Sequence, residues 1–148
     1  MTVSIRIQRE DFDVAAELAA LTTGGAEAGA VASFVGLVRG GDGLNAMTLE
    51  HYPGMTEREI AAHAVEAGKR WPLLNLRIVH RVGKLTAGQH IVFVGASAAH
   101  RKAAFEAVEF LMDYLKTRAP FWKEEERGGK KHWVEAKPED EAEVSRWR

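Results

Sequence analysis

The feature that most constrains this chain is the apolar run Gln89-His-Ile-Val-Phe-Val-Gly-Ala96, followed at once by a long amphipathic segment that reaches Pro120. A short, nearly unbroken apolar run bounded by turn residues reads as a central strand. Beyond it, Ala104, Val108, Leu111 and Leu115 recur at helical spacing. They predict a helix over 98–118, with Ser97 as its N-cap and Pro120 as its stop.

Around this pair the chain alternates short strands and helices. Residues 3–8 alternate apolar and polar, the pattern of a half-buried strand, and Asp11 or Asp13 can cap a helix through 14–21 that Gly24 and Gly25 end. Residues 30–38 form a strand opening into the glycine-rich loop 39–43, and 45–51 return as its partner. Thr56 and Glu59 have capping-box spacing, predicting a helix that buries Ile60, Ala64 and Val65 and stops before Pro72. A strand over 74–82 and a turn over 83–88 follow. After Pro120, strands at 121–126 and 131–136 make a hairpin around 127–130, and a polar helix starts at Pro138. The predicted order βαββαββαββα argues for an α+β fold built on antiparallel sheets. With 148 residues and no repeat or linker, a single domain over 1–148 is expected.

Charge narrows the function. Twenty basic and 21 acidic residues leave a formal charge of −1, so the chain is not a general nucleic-acid or membrane-surface binder, and any anion site must be local. No residue is cysteine. Disulfides, thiolate catalysis and cysteine-ligated zinc are therefore excluded, and the chain cannot carry a persulfide of its own. The opening residues MTVSIRIQRE lack a basic-then-apolar signal pattern, and no apolar run is long enough to span a bilayer. A cytoplasmic protein is the expectation. The six histidines show no HxxxH or HExxH spacing, so no metal is expected, and no P-loop, Rossmann fingerprint or GxSxG elbow is present.

Three groups of residues can carry chemistry. His100 and Arg101 fall in the first turn of the long helix, where backbone N–H groups and the dipole attract an anion; an exposed pair reaching into solvent is the plainer alternative. Arg39 opens a loop containing Gly40, Gly41 and Gly43, and its planar fork suits a phosphate, although a solvated turn arginine is the commoner explanation. Lys116 and Lys123 flank Pro120 beside Tyr114, Phe121 and Trp122. Lysines packed among aromatics and cations suit proton transfer or nucleophilic work, whereas Lys116 near a helix end also simply complements the dipole. The acidic run 124–126 reads as a solvated strand face.

Four segments together resemble a known family. Phe34-Val-Gly-Leu-Val-Arg39, Leu49-Glu-His-Tyr-Pro-Gly-Met55, Ala99-His-Arg101 and Met112-Asp-Tyr-Leu-Lys-Thr-Arg-Ala-Pro-Phe-Trp-Lys123 are similar, in order and spacing, to the large subunit of molybdopterin synthase, the MoaE family. The resemblance covers nearly the whole chain. It implies an α/β-hammerhead fold and a homodimer of large subunits. It also implies a heterotetramer with two small ubiquitin-like sulfur carriers, each ending in a Gly-Gly thiocarboxylate. The implied reaction puts two sulfurs onto cyclic pyranopterin monophosphate to make the dithiolene of molybdopterin, with no cofactor beyond the carrier's sulfur.

Carried over by position, Lys116 and Lys123 match the lysines central to activity. Leu37, Val38, Arg39, His100, Arg101, Glu124 and Glu125 match substrate-binding stretches. Glu124 stands where relatives often carry a base, and Leu37 offers only backbone or apolar contact. A phosphate-ester hydrolase and a non-catalytic anion-binding dimer are the rival readings of the same cationic residues.

Overall fold

In the computed structural model, which describes residues 1–134 and 138–147, the chain runs β1 (Thr2–Gln8), α1 (Val14–Ala20), β2 (Ala30–Leu37), β3 (Leu44–His51), α2 (Met55–Arg70), β4 (Leu73–Arg81), β5 (Gly83–Leu85), β6 (His90–Ala98), α3 (Arg101–Thr117), β7 (Phe121–Arg127), β8 (Lys130–Val134) and α4 (Pro138–Ser145). The strands form two four-stranded sheets, ordered β1-β4-β6-β2 and β5-β3-β7-β8. Every pairing is antiparallel except β1 with β4. This is a mixed α+β fold with antiparallel-rich sheets, as the element order predicts.

β6 lies inside the first sheet and is buried from Val92 to Ala98. Alternate strand residues face opposite ways, so both faces must be covered. Val92, Val94 and Ala96 pack with Ile60 and Ala64 of α2 and with Ala104, Ala107 and Leu111 of α3. Phe93 points the other way, into a smaller cluster with Phe12, Leu21 and Val79 that α1 covers through Val14 and Leu18. Under α1, the buried carboxylate of Glu17 pairs with Arg6 and, at 2.7 Å, with Arg77 of β4.

The helix after β6 begins later than expected. Ser97 stays in the strand, where its Oγ accepts from the Asn75 backbone N–H at 3.1 Å, and His100 becomes the N-cap position. β6 is paired on both sides as far as Ala98, and a two-sided ladder outweighs one capping bond. Two further expectations shift. Val65 faces solvent, because Ile60, Ala64 and Ala67 make the buried stripe at i, i+4 and i+7. Residues 83–85 are not only turn but a short strand on β3, so the order is βαββαβββαββα. Of the predicted hairpin strand 131–136, residues 135 and 136 lie outside the described residues. No described helix is long and apolar enough to cross a membrane.

Thr56 is not the start of a capping box with Glu59. Glu57 instead accepts from the Gly54 backbone N–H at 2.9 Å, and Gly54 holds φ at 85°, a conformation open to glycine. The fully buried Thr56 hydroxyl accepts from the Tyr52 N–H at 2.9 Å and donates to the Pro120 carbonyl at 3.0 Å. One hydroxyl thus ties the head of α2 to the turn between α3 and β7. Thr56→Val keeps the shape but takes this partner from the Tyr52 N–H and the Pro120 carbonyl, both part-buried. It should cost about 1–3 kcal/mol and lower the melting temperature by roughly 2–12 °C, as read by calorimetry.

Candidate active site

α3 ends where Pro120 has no N–H to offer, and the chain turns directly into β7. The N–H groups of Arg118 and Ala119 both close back on the Tyr114 carbonyl, at 2.8 and 3.1 Å. This tight exit brings Lys116, in the last turn of α3, and Lys123, the third residue of β7, into one cleft. Both line a cleft of about 500 Å³ between the first sheet and the second, whose other walls include Leu37, His80, Phe121 and Trp122. Lys116 is exposed and Lys123 half-buried. The aromatic surroundings differ from the sequence expectation at one position. Tyr114 points into the core and stacks on His63 with centroids 3.4 Å apart, leaving Phe121 and Trp122 to wall the cleft.

His80 is the site residue that the sequence reading missed. It ends the inward row Leu76, Ile78, His80 of β4 and stacks on Phe121 at 3.9 Å. Its Nδ1 lies 2.8 Å from the Arg81 carbonyl oxygen. Burial holds its pKa down at about 4, and the positive charge of Lys116 and the proximity of His51 push the same way, against the bond to Arg81. The signal was a histidine where strand alternation calls for an apolar residue. Metal-ligand spacing, the pattern sought among the histidines, does not register such a position. Behind it, His51 has a buried Nδ1 with no hydrogen-bond partner and an Nε2 3.9 Å from Glu57.

The other sequence-derived residues do not all meet here. Val38 is buried among Met47, Leu49 and Leu85, and its backbone groups bond Gln89 and Gly88, so it serves the core. Arg39, next along, is exposed and does not line the cleft, two residues beyond Leu37, which does. Glu124 and Glu125 do not line the cleft; half-buried on opposite faces of β7 rather than on one solvated face, they lie 3.9 Å from Lys131 and 2.9 Å from Arg127 respectively. His100 and Arg101 sit at the far end of α3. Fifteen residues of helix separate Arg101 from Lys116, about 22 Å at 1.5 Å per residue. There His100 borders a separate hollow of about 340 Å³ with Trp71 and Lys102. Among the described residues, Arg39, His100, Arg101 and Lys116 make no ion pair or side-chain hydrogen bond, so four cationic or titratable groups stand uncompensated. No three histidine, aspartate or glutamate side chains cluster as a metal site among the described residues.

The chain as a whole matches a known family. The profile described as MoaE protein matches residues 7–118. The chain belongs to the MoaE family. A curated relative from Mesorhizobium japonicum, named molybdopterin synthase catalytic subunit, is 59% identical and covers 98% of this chain and 93% of its own. Among solved structures, a molybdopterin biosynthesis MoaE protein from Burkholderia ambifaria superposes with a TM-score of 0.85 at 52% identity, covering 99% of this chain and 98% of its own. A complex of subunits 1 and 2 of a molybdopterin-converting factor from Helicobacter pylori shares the fold at 22% identity, with a TM-score of 0.72 over 88% of this chain and 89% of its own. Membership in the MoaE family agrees with the resemblance read from the sequence segments.

The depressed pKa of His80 sets a pH dependence of stability. Unfolded His80 titrates near 6.5 and folded His80 near 4, so between these values the unfolded chain binds more protons. Its contribution is complete above pH 6.5 and is lost as pH falls toward 4. Burial lowers the pKa of His63 as well, with the same sign. Urea midpoints should therefore drop on acidification through this window, and drop less in His80→Gln. An equal slope in both proteins would remove His80 as the cause.

Proposed function

We propose that the chain is the catalytic subunit of a molybdopterin synthase. It would transfer sulfur twice from the C-terminal thiocarboxylate of a small ubiquitin-like carrier ending in Gly-Gly to cyclic pyranopterin monophosphate. As a member of the MoaE family, it is a sulfur-transferring enzyme of molybdenum cofactor biosynthesis. The observation that carries the mechanism is the cleft that Lys116 and Lys123 line together with Phe121 and Trp122, in a chain with no cysteine. Sulfur must come from outside, and the Helicobacter pylori complex of two subunits supports a small partner as its source. The reaction needs no resident cofactor in this reading, and the compartment is the cytoplasm.

The chemistry follows from charge. The precursor is a phosphate ester, and a thiocarboxylate brought beside it adds a second anion. Cationic groups without internal partners lower that repulsion and donate charge-assisted hydrogen bonds to the phosphate, the roles assigned to Arg39, His100 and Arg101. Lys116 and Lys123 act as general acid and base during sulfur addition and opening of the phosphate ring. Leu37 and the aromatic walls give the pterin an apolar surface. Val38 contributes only by anchoring the strand end that precedes Arg39, and Glu124 and Glu125 act at a distance from the substrate.

About 22 Å of helix separates Arg101 from Lys116, too far for one precursor to bridge within one protomer. A homodimer reunites the halves if the Arg101 end of one protomer meets the lysine cleft of the next. Exposed apolar side chains stand ready at both places: Phe105, one turn beyond Arg101, and Phe34 on the edge strand β2.

The test is a purified reaction with precursor and thiocarboxylated carrier. The parent chain should form dithiolene with carrier and none with modest free sulfide alone. Lys116→Arg and Lys123→Arg keep the charge but not a readily transferred proton. They should lose roughly 10²- to 10⁴-fold in rate while melting and carrier binding hold. Near-normal single-turnover rates in both variants would reduce the lysines to electrostatic anchors. Sulfur-free turnover of the cyclic phosphate would make the chain a hydrolase, and tight binding without turnover a binding module. Mixed dimers of Arg101→Ala with Lys116→Arg should regain activity that neither homodimer has; no recovery would refute the shared pocket.

A further inference from the structure

We propose that His80 is a positioning residue for Lys116: its Nε2, unpaired among the described residues, takes a hydrogen bond from the Lys116 ammonium when precursor and carrier fill the cleft that both residues line, and so fixes that group at the substrate. The proposal deepens the reading above and rests on Lys116 being a proton-transferring group. Its warrant is the way three neighbours fix the ring. The Arg81 carbonyl, 2.8 Å from Nδ1, can only accept, so Nδ1 must carry the proton and Nε2 the lone pair. Phe121 stacks on the ring at 3.9 Å and 18°, which holds the ring plane in place. The rows of Leu76 and Ile78 below it belong to the core, so the ring stands where that core opens into the cleft.

Nε2 makes no hydrogen bond among the described residues and is not among the buried unpaired atoms, so it opens toward the cleft. Lys116 from α3 and Lys123 from β7 share that cleft, and His51 from β3 lies close enough to disfavour a charge on the ring. Burial and these neighbours keep the imidazole neutral at working pH. Among the described residues Lys116 has no carboxylate partner. A carboxylate would hold the ammonium by charge and favour its protonated form; a neutral imidazole orients it without that bias. No bond at His80 is made or broken. The proton passes between Lys116 Nζ and the substrate, and His80 fixes where Nζ stands.

Two substitutions separate positioning from packing. His80→Asn keeps an amide N–H for the Arg81 carbonyl and places no atom where Nε2 stood. His80→Gln keeps an acceptor near that point. With thiocarboxylated carrier and precursor, His80→Asn should lower kcat roughly 10- to 100-fold with KM little changed, the scale of a misplaced catalytic group, and His80→Gln should recover most of it. Equal losses in both variants, or full activity in His80→Asn, overturn the proposal. A second measurement uses the parent complex. In protein labelled with ¹⁵N-histidine, His80 should keep the Nδ1–H tautomer from pH 6 to 8, and its Nε2 resonance should move on Lys116→Met. An unmoved resonance also overturns it. If Lys116→Arg is fully active, the reading of Lys116 fails; if Lys116→Arg is inactive and His80→Asn is not, only the positioning role fails.

Discussion

β6 is apolar on both of its faces, and most of the architecture depends on covering it. One side takes α2 and α3, through Ile60, Ala64 and Leu111; the other takes α1, through Leu18 and the cluster around Phe93. Burial of this kind, at about 25 cal/mol per Å² of apolar surface, is the dominant favourable term in holding the layers together. Because β6 feeds α3 after only two residues, the direction of the sheet also fixes the direction of the longest helix. The two ends of α3 then define where the cationic groups stand.

The second sheet does the opposite work. It is thinner in buried apolar residues, with Val38, Met47, Leu49 and Leu85 as its small core, and it carries the cleft on its border with the first sheet. Its strands are held to the helical layer by a few specific ties, among them the Thr56 hydroxyl on the Pro120 carbonyl. A cleft at such a border takes its walls from both sheets and from the last turns of α3.

Elsewhere on the surface, charges of opposite sign find one another: Glu66 with Arg70, Glu125 with Arg127, Arg146 with Glu109 and Glu143. Arg39, Arg101 and Lys116 have no such partners among the described residues. Each exposed pair is worth little to stability, about 0–1 kcal/mol, so leaving these cations uncompensated costs the fold almost nothing. What the omission provides is local positive potential in a chain whose net charge is only −1.

The amino-acid sequence by itself determined the elements and the chemistry that could be present. The alternation at 3–8, the apolar run through β6, the helical stripe of Ala104, Val108 and Leu111 and the stop at Pro120 are local patterns, and local patterns report local structure. The absence of cysteine and the four family segments were equally legible. Tertiary structure decided the rest, through pairings between distant residues. Ser97 is a strand residue because Asn75 and the two neighbouring strands claim it; Val65 is exposed because the buried stripe passes it by. His80 becomes part of the cleft only when β4 and β7 bring Phe121 against its ring, 41 residues later in the chain. The separation of His100 and Arg101 from the lysines follows from helix length, visible in sequence, but its consequence depends on what lies across each end. Sequence periodicity has a range of a few residues, whereas a site is set by contacts between elements that the chain visits far apart.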